Sequence, residues 1–552
     1  MNKVQKRKFR AKPNAKTQAA KKLRTILFSR MLVVLLLLLI QLAIFIVLTI
    51  KLEAVATYFF GGGVIVSAIF LLYLVNVPGK NEFKLAWILP VLIMPVFGIT
   101  LYFMYKYNQG GIWLKRKLRR MKEISEEYIP EKEKVEEIAK DFSAAKDICS
   151  YLYRFGRYPC YKDTATEYFS CGEDFFADLI DELNKAKQFV FIEFFIVEPC
   201  QIMDRLLEIL SKKTAEGVEV RILFDSIGSI SLSSSILKNY FTSYGISSKV
   251  WLKFIPVFNT GLNNRDHRKI ICIDGKVAYT GGINITDEYA NIVSRRFNYW
   301  KDAGIKITGP AARTFTLMFL QQWNVQNKKK VPCENFEKFI SKDAVLCDLR
   351  KRSVAANVRG AKAVNTRGSK PGLVIPYGDD AYNDADIAEN VFKYILEKST
   401  AKVRIMTPYI IIDNSLLDDL IFAANRGVQI EIIVPKHYDH FVSFCVGRTY
   451  IKNLIENGIK VFAYETGFIH SKVFVADSKI GTIGSINLDY RSLYHHFECS
   501  TFLYKTDSIK AAEKDFDNLK NECSEITTEN YRNIPWFIRT VGWIFRIFAP
   551  LM

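Results

Sequence analysis

The sequence is poor in histidine and lacks the motifs of several common enzyme classes. Only six of its 552 residues are histidine. It contains no P-loop and no dinucleotide-binding glycine fingerprint, which argues against chemistry that depends on a nucleotide. The ten cysteines are scattered without a C-x-x-C pair. We therefore predict no metal site and no cofactor, and we interpret the cysteines as reduced thiols of a cytoplasmic compartment.

Acidic residues are missing from two segments that carry much of the positive charge. The formal net charge is +20, and residues 1–30 hold eleven Lys and Arg without any acid. Residues 106–122 hold seven more, and without these eighteen the chain has 59 basic against 57 acidic side chains. A nucleic-acid-binding protein or nuclease would carry its excess charge on the folded body. The distribution favours an anionic membrane as the partner and disfavours nucleic acid.

Charged residues are also absent from three apolar stretches near the N-terminus. About 20 apolar residues are needed to cross a bilayer, and each stretch supplies that number. A cleaved signal peptide fits poorly, because the basic region before the first stretch is too long and no small-residue cleavage pattern follows. After a basic arm at 1–30, we therefore predict a transmembrane region with crossings at 31–50, 57–77 and 85–105.

The basic segments leave the topology open. Positive segments that flank membrane crossings usually stay in the cytoplasm, yet three crossings would separate 1–30 from 106–122. Either one apolar stretch is re-entrant or interfacial, or one basic segment violates the rule. We predict a multi-pass membrane protein whose body lies at the cytoplasmic face, in agreement with its scattered cysteines.

Strand and helix signals alternate along the rest of the chain. "QFVFIEFFIV", "MDRLLEILSKKTAEG" and "VEVRILFDS" are typical of a strand, a helix and a strand, and "AKVRIMTPYIII", "NSLLDDLIFAANRG" and "VQIEIIVP" repeat that order. This alternation predicts an α/β protein with mainly parallel sheets and helices on their faces. The predicted divisions are a charged connector, a first half, a linker, a second half and an amphipathic interfacial helix, at 106–145, 146–325, 326–370, 371–530 and 531–552.

One motif occurs twice in the chain. His267, Lys269 and Asp274 match His470, Lys472 and Asp477 in the pattern His-x-Lys-x-x-x-x-Asp. Over the 18 positions that start at each histidine, seven residues are identical, whereas background usage would give about one. Two copies of one motif predict two homologous halves that form an internal pseudo-dimer.

The motif contains the groups that a phosphate site needs. Residues i and i+2 of a strand share a face, so each histidine should project beside its lysine, and the aspartate should fall at the turn of a hairpin. Lysine neutralises an anion, while histidine can act as nucleophile, base or acid. A single His-x-Lys would be an ordinary surface feature, but its repetition favours a functional site. The aspartates are better explained as turn residues than as reacting groups.

With these motifs the sequence resembles the phospholipase D superfamily, and within it most closely the bacterial cardiolipin synthases. The resemblance extends over nearly the whole chain and includes "AWILPVLIMPVFG", "GPAAR", "TPY", "VPKHYDH" and "GSINLDYRSL". It implies two α/β halves that share one active site at their interface, anchored in the bacterial cell membrane. It also places all six repeated residues, Asp274 and Asp477 included, in the catalytic motif.

The resemblance further implies a covalent mechanism with divided roles. By analogy His267 attacks phosphorus and forms a phosphatidyl-histidine, while His470 protonates the leaving alcohol and then deprotonates the incoming one. Which histidine attacks is not fixed by the sequence. The phosphoryl oxygens would be held by the two lysines, Asn284, Asn487 and Ser485. The first half departs from the pattern, because Gly282 stands where the second half has Ser485.

The resemblance also implies roles for three further residues, Asp302, Glu498 and His440. Asp302 and Glu498 match the family's acids that orient the catalytic imidazoles, although either could be an ordinary surface or capping carboxylate. His440 matches a family position that can contact substrate. His437 and His440 have the spacing of a metal pair, but no third ligand is clustered with them, so we predict no metal there. The adjacent His495 and His496 fit a packing or orienting role better than a ligand role.

The function implied is a cardiolipin synthase. Such an enzyme transfers a phosphatidyl group between two phosphatidylglycerol molecules and releases glycerol. The alternatives are a hydrolytic phospholipase D or a phosphatidylserine synthase of the same superfamily, and a membrane-tethered nuclease is less favoured on charge. The expected partners are phosphatidylglycerol, cardiolipin and the membrane. The sequence predicts no particular oligomeric state.

Overall fold

The fold is described from a computed structural model of the chain. It describes the ranges 53–106, 109–229, 234–252, 264–327, 336–340 and 372–551, together with residues 39, 43 and 46. These residues form two compact units, a small N-terminal one and a large one that contains both repeated motifs.

The N-terminal unit consists of helices. They are α1 (Glu53–Asn76), α2 (Asn81–Ile93) and α3 (Pro95–Lys106). Their shared core contains Phe70, Leu74, Trp87, Val91 and Tyr102. Among the described residues, no helix is both long enough and apolar enough to cross a membrane.

The described residues therefore do not support the crossings predicted at 57–77 and 85–105, and the second of these stretches is divided at Met94 into two short helices. Pro90 lies inside the first of them, which ends at Ile93, and the Met94 amide donates to the Pro90 carbonyl. The predicted arm at 1–30 and nearly all of the stretch at 31–50 lie outside the described residues.

The first half of the large unit is a seven-stranded sheet with helices around it. Its helices are α4 (Gln109–Ser125), α5 (Lys132–Lys140), α6 (Lys146–Gly156), α7 (Gly172–Lys185), α8 (Gln201–Ala215), α9 (Ser234–Thr242) and α10 (Ala312–Val325). Its strands are β1 (Ala165–Phe169), β2 (Phe189–Phe194), β3 (Glu219–Asp225), β4 (Ser247–Trp251), β5 (Ile270–Ile273), β6 (Val277–Gly281), β7 (Trp300–Lys301) and β8 (Gly304–Thr308). β7 lies outside this sheet and pairs with a strand of the second half.

The second half repeats this plan with an eight-stranded sheet. Its helices are α11 (Ile387–Lys398), α12 (Asn414–Asn425), α13 (Phe441–Glu456), α14 (Tyr490–Tyr494), α15 (Asp507–Lys520), α16 (Thr528–Arg532) and α17 (Trp536–Arg546). Its strands are β9 (Leu373–Asp379), β10 (Lys402–Met406), β11 (Ile410–Ile411), β12 (Gln429–Pro435), β13 (Lys460–Tyr464), β14 (Phe468–Ile469), β15 (Val473–Ala476), β16 (Ile480–Gly484), β17 (Leu488–Asp489), β18 (Glu498–Tyr504) and β19 (Cys523–Glu525).

Local sequence explains why these segments adopt their structures. In α12 the Asp413 side chain accepts a hydrogen bond from the Leu416 amide and caps the helix. Leu416, Leu417, Leu420 and Ala423 are buried at helical spacing on one face. All six residues of β2 are buried, as expected for a central strand covered on both faces.

The order of the strands shows that the two halves are equivalent. The first sheet runs β1-β8-β6-β5-β2-β3-β4, and the second runs β9-β18-β16-β15-β10-β12-β13 with β19 added at its edge. Each strand of the first sheet therefore has a counterpart at the same place in the second. The prediction of an α/β chain with two homologous halves is confirmed by this order.

The prediction of mainly parallel sheets is wrong. Only β2, β3 and β4 pair in parallel in the first sheet, and only β10, β12 and β13 in the second. The motif hairpin β5-β6 adds to β2 in antiparallel fashion, and β15-β16 adds to β10 in the same way. Alternation of helix and strand signals correctly indicated the parallel part, but it could not show where the hairpin attaches.

The hairpins themselves form as predicted, with the aspartates at the turns. Asp274 and Gly275 have positive φ values of 53° and 62°, and Asp477 and Ser478 have 54° and 53°. Two successive residues with positive φ are typical of the tight turn that matches the twist of a hairpin. Ser478 occupies the position of Gly275, and its amide and hydroxyl both donate to the Glu513 carboxylate.

The glycine that both motif copies share has a packing role. A Cβ added to Gly484 would lie 2.4 Å from the Ser500 Cα, and one added to Gly281 would lie 2.4 Å from the Ala303 carbonyl oxygen. At Gly484 the constraint is the close approach of the neighbouring strand, and Gly281 combines the same close approach with a positive φ of 159°. The repeated glycine therefore sets the spacing between β6 and β8 and between β16 and β18.

We expect Gly484→Ala to lower the free energy of unfolding by about 1–3 kcal/mol, because the added methyl group overlaps the backbone of β18. Thermal unfolding of the full-length protein measures this change. Gly447→Ala in α13 is the control, since its nearest neighbour would be 3.6 Å away. Equal melting temperatures for Gly484→Ala and the wild type would contradict the packing role.

Candidate active site

Each motif histidine lies on an extended segment just before its hairpin. His267 precedes β5 by three residues, and its amide donates to the Phe497 carbonyl over 2.9 Å. The Phe497 amide in turn donates to the Arg265 carbonyl. The segment of the first half that carries His267 is thus held against the residue that directly precedes Glu498 in the second half.

His470, the second motif histidine, is held by the equivalent arrangement. The His470 amide donates to the Lys301 carbonyl over 2.7 Å, and the Phe468 amide donates to the Tyr299 carbonyl. These bonds belong to the parallel pairing of β14 with β7. The residue that follows Lys301 is Asp302, so each histidine segment is joined to the segment that carries the acid of the other half.

The side chains cross between the halves in the same way. His267 Nδ1 lies 2.8 Å from Glu498 Oε1, and His470 Nδ1 lies 2.7 Å from Asp302 Oδ2. Both carboxylates are completely buried. Because an ionised carboxylate only accepts hydrogen bonds, each Nδ1 must carry the hydrogen. The other ring nitrogen, Nε2, then has a free lone pair, as nucleophilic or base chemistry requires.

The two motif lysines are buried beside the histidines. Lys269 Nζ donates to the His267 carbonyl over 2.6 Å, and Lys472 Nζ donates to the His470 carbonyl. Lys472 Nζ also lies 2.8 Å from His470 Nδ1. The structure thus brings together both His-x-Lys pairs and both acids in one buried site. In the sequence, His267 and Glu498 are 231 residues apart, and His470 and Asp302 are 168 residues apart.

Burial dominates the electrostatics of this site. It lowers the pKa of Lys269 to about 8 and that of Lys472 to about 7, against the opposing effect of the Asp302 and Glu498 carboxylates. Burial and the nearby lysines lower the pKa of His470 to about 4 and that of His267 well below its usual range. At neutral pH both imidazoles are therefore neutral, and the lysines can be charged when an anion is present.

The two asparagines and Ser485 have different surroundings. Asn284 Oδ1 accepts from the Ile196 amide over 3.2 Å, which fixes the amide group. Asn487 Oδ1 is buried and has no hydrogen-bond partner among the described residues. The Ser485 hydroxyl donates to Glu498 Oε2 and to the Cys499 carbonyl. In this arrangement the Ser485 hydroxyl supports the Glu498 carboxylate, and its predicted contact with a phosphate stays a prediction.

The departure at Gly282 has a steric explanation. A Cβ at Gly282 would lie 2.2 Å from Asp302 Oδ1. In the first half the carboxylate itself occupies the space that the Ser485 side chain takes in the second. The shorter Asp302 is bonded by the Ala303 amide, whereas Glu498 is bonded by Ser485 and Ser492. The two halves therefore orient their acids by different means.

Three predicted residues do not join the site. Asp274 accepts three backbone amide bonds from residues 187–189, and Asp477 accepts backbone bonds from residues 400–402. They lie at the far ends of β5 and β15 and fasten the hairpins to the sheets, which agrees with the interpretation of both aspartates as turn residues. His440 is exposed at the start of α13 and contacts only Asp439, its neighbour in sequence, through its side chain.

The sequence did not point to several supporting residues. They occupy the unspecified positions of the motif or lie in distant loops. Arg268, between the motif histidine and lysine, pairs with Glu193 Oε1 at 2.6 Å and with Asp266 Oδ1 at 3.3 Å. Burial raises the pKa of Glu193 well above its usual value, against the effect of Arg268. Tyr289 and Trp300 surround His470, with ring centroids at 5.3 Å and 5.6 Å. Only a run of aromatic residues in the sequence hinted at these neighbours.

One group of side chains has the composition of a metal site. His267, His496 and Glu498 place ligand atoms within 4.8 Å of one another, and this is the one such group in the described ranges. Within this group, His267 Nδ1 is already hydrogen-bonded to Glu498 Oε1. The neighbouring His495 is bonded elsewhere, because its Nε2 donates to the Pro550 carbonyl over 3.0 Å.

Comparison with known proteins identifies related chains. The family model described as "Cardiolipin synthase, PLD-like domain" matches residues 179–315 and 393–520, one stretch in each half. The chain is 34% identical to an uncharacterized protein of Streptococcus mutans over 87% of this chain and 99% of that protein. It is 28% identical to the cardiolipin synthase of Geobacillus kaustophilus over 88% and 92%, and 29% identical to cardiolipin synthase 2 of Bacillus anthracis over 85% and 86%.

A solved structure shares the fold. The phosphatidylserine synthase of Haemophilus influenzae superposes with a TM-score of 0.52 at 13% identity, over 75% of this chain and 100% of that one. At this identity the likeness concerns the arrangement of the two halves and carries no information about substrate.

We expect the affinity of the site for a phosphodiester anion to fall at alkaline pH. Lysine binds an anion in its charged form, which is lost as pH rises through its pKa, here about 7 for Lys472 and about 8 for Lys269. The dissociation constant of glycerophosphoglycerol, whose phosphodiester keeps one negative charge, should rise roughly tenfold per pH unit above 7 and more steeply above 8. Calorimetric titrations between pH 5.5 and 9 measure it.

The control for this titration is Lys472→Arg, which keeps its charge over the whole range. It should remove the step near pH 7 and retain the step near pH 8. An affinity that stays constant up to pH 9 in the wild type would show that the lysines are not the groups that hold the anion.

Proposed function

The chain belongs to the family of cardiolipin synthases with phospholipase D-like domains and is a phosphatidyltransferase, and on this basis we propose its full reaction. It transfers the phosphatidyl group of one phosphatidylglycerol to the terminal hydroxyl of another and releases glycerol. The product is cardiolipin. The observation that carries this proposal is the crossed pair of buried carboxylate–imidazole hydrogen bonds, with one lysine beside each histidine.

The first step forms a covalent intermediate. Nε2 of His267 attacks phosphorus, and the bond from phosphorus to the glycerol oxygen breaks. His470, protonated in the complex with the anionic substrate, gives its proton to that oxygen, so glycerol leaves as the neutral alcohol. Lys269 and Lys472 neutralise the phosphoryl oxygens, with Asn284 and Asn487 as further donors.

The second step reverses the roles around phosphorus. His470 takes the proton of the acceptor hydroxyl, whose oxygen attacks phosphorus while the bond to His267 breaks. One phosphodiester replaces another, so the reaction has no large driving force and needs no nucleotide. Asp302 and Glu498 hold the rings and their Nδ1 hydrogens throughout both steps.

A membrane is the expected location of both lipids. The C-terminal helix α17 leaves Trp536 71% and Trp543 77% exposed, with Phe537 and Ile544 exposed beside them. Its opposite side packs closely on α13, where Gly542 approaches the Cys445 carbonyl. Aromatic side chains together with Arg539 and Arg546 suit the interface of an anionic bilayer. We propose that α17 lies on the membrane surface and brings the site to its substrate.

Product analysis tests the reaction. Purified full-length protein in micelles of labelled phosphatidylglycerol should form cardiolipin and free glycerol in equal amounts. Because the driving force is small, excess glycerol should convert labelled cardiolipin back to phosphatidylglycerol. Phosphatidic acid as the sole labelled product would indicate a hydrolytic phospholipase D. Phosphatidylserine formed on addition of serine would indicate a phosphatidylserine synthase.

The crossed hydrogen bonds predict paired phenotypes across the two halves. Loss of an orienting carboxylate should lower kcat by roughly 10²–10⁴ through the histidine that it holds. Glu498→Gln should therefore resemble His267→Ala and reduce covalent labelling by radioactive phosphatidylglycerol. Asp302→Asn should resemble His470→Ala, in which breakdown of the intermediate suffers more than its formation, so labelled enzyme accumulates.

Acid-quenched protein, separated by electrophoresis, provides the measurement. Asp274→Asn is the matched control, since the side chain of this aspartate accepts hydrogen bonds from the backbone amides of residues 187–189, and its folded fraction should label normally. Labelling that vanishes in Asp302→Asn and His470→Ala but persists in the other pair would assign the attack to His470. Absence of labelled enzyme in all proteins would contradict the covalent mechanism.

A further inference from the structure

A cleft lies beside the active site and is not used by the reacting groups. It is formed by residues after β10, by the end of β12, by one side of α13 and by Phe468 of β14. It opens to solvent on one side, and its free interior volume is about 30 Å³. Its walls are mainly apolar and aromatic, including Tyr409, Tyr438, Phe444 and Phe468. The Phe468 ring stands 6.3 Å from the His470 ring, centroid to centroid. One aromatic side chain thus separates the cleft from the catalytic imidazole.

A single arginine is buried in the wall of this cleft. Arg448 is 7% exposed and makes neither a hydrogen bond from its side chain nor an ion pair with any described residue. Its guanidinium lies 4.4 Å from the centroid of the Phe444 ring, one turn earlier on α13. Burial lowers the pKa of Arg448 to about 10, so the group is still charged at neutral pH. A buried cation without an anion is unfavourable unless a ligand supplies one.

The carboxylate in the cleft does not satisfy this arginine. Asp439 lines the rim, where its Oδ1 accepts from the His440 amide and its Oδ2 accepts from the Tyr409 hydroxyl. Arg296 also lies at this rim and donates to the carbonyls of Tyr438 and Asp439. The acid is therefore engaged with neighbours at the edge of the cleft, and Arg448 is left as the cation of its interior.

We propose that this cleft receives the acceptor phosphatidylglycerol and that Arg448 binds the phosphodiester of that lipid. The inference rests on the proposed function and adds a second anion site to it. The donor phosphodiester occupies the site of Lys269 and Lys472. The acceptor carries its own phosphodiester, separated from the attacking hydroxyl by the glycerol carbons, and this group needs a different cation. Water and free glycerol lack a phosphate, so Arg448 selects the lipid acceptor over them.

Two reactions of the same enzyme separate acceptor binding from chemistry. Transfer between two phosphatidylglycerol molecules requires the second phosphate, whereas exchange of the headgroup with radioactive glycerol requires only the donor lipid and a neutral alcohol. Both use the same covalent intermediate and the same histidines. In micelles of the full-length protein, Arg448→Gln should reduce cardiolipin formation at least tenfold. Glycerol exchange by the same preparation should change less than twofold.

Matched variants complete the experiment. Arg448→Lys should recover part of the cardiolipin formation, because it restores a cation without the planar fork of arginine. Lys452→Gln removes one positive charge from the exposed side of the same helix and should change neither reaction. Retained exchange also shows that the Arg448→Gln protein is folded.

Two results would overturn the inference. If Arg448→Gln lost transfer and exchange to the same extent, the arginine would stabilise the fold or bind the donor lipid. If transfer were unchanged, the arginine would have no role in binding the acceptor lipid. Failure of the proposed function would look different, because the wild-type protein itself would then form no cardiolipin.

Discussion

The crossed hydrogen bonds between the halves are the constraint on which the site depends. Each histidine receives its backbone position and its ring orientation from the other half of the chain, through the pairs His267–Glu498 and His470–Asp302. Neither half contains a complete catalytic group by itself. Two copies of the motif suit the proposed reaction, in which a phosphodiester is attacked on one side while its leaving oxygen is protonated on the other.

Burial of these groups determines their charge. In water a carboxylate next to an imidazole would favour the protonated ring, but here desolvation and the two lysines outweigh it and leave both rings neutral. A neutral ring with its hydrogen fixed on Nδ1 is ready to act as a nucleophile through Nε2. In the proposed reaction, the bound phosphodiester supplies the negative charge that the second ring needs to act as an acid.

The halves are related but not equivalent. Glu498 is supported by two serine hydroxyls, whereas Asp302 fills the space that a side chain at position 282 would need. Among the described clefts, the aromatic one that contains Arg448 lies next to the histidine of the second half. This asymmetry agrees with a reaction in which the two histidines have different tasks, and in which the acceptor approaches from one side.

The sequence by itself determined the local parts of this protein. Hydrophobic periodicity located the helices and strands, Asp-Gly chemistry located the turn of the first hairpin, and the repeated His-x-Lys pairs identified the candidate reacting groups. These features depend on neighbours within a few residues, so a single sequence reveals them. The tertiary structure alone decided the antiparallel attachment of the hairpins, the exchange of acids between halves, the support role of Ser485 and the exposure of His440. These depend on contacts between residues that are far apart in the chain, and periodicity reports which face of a segment is buried without indicating what lies against it.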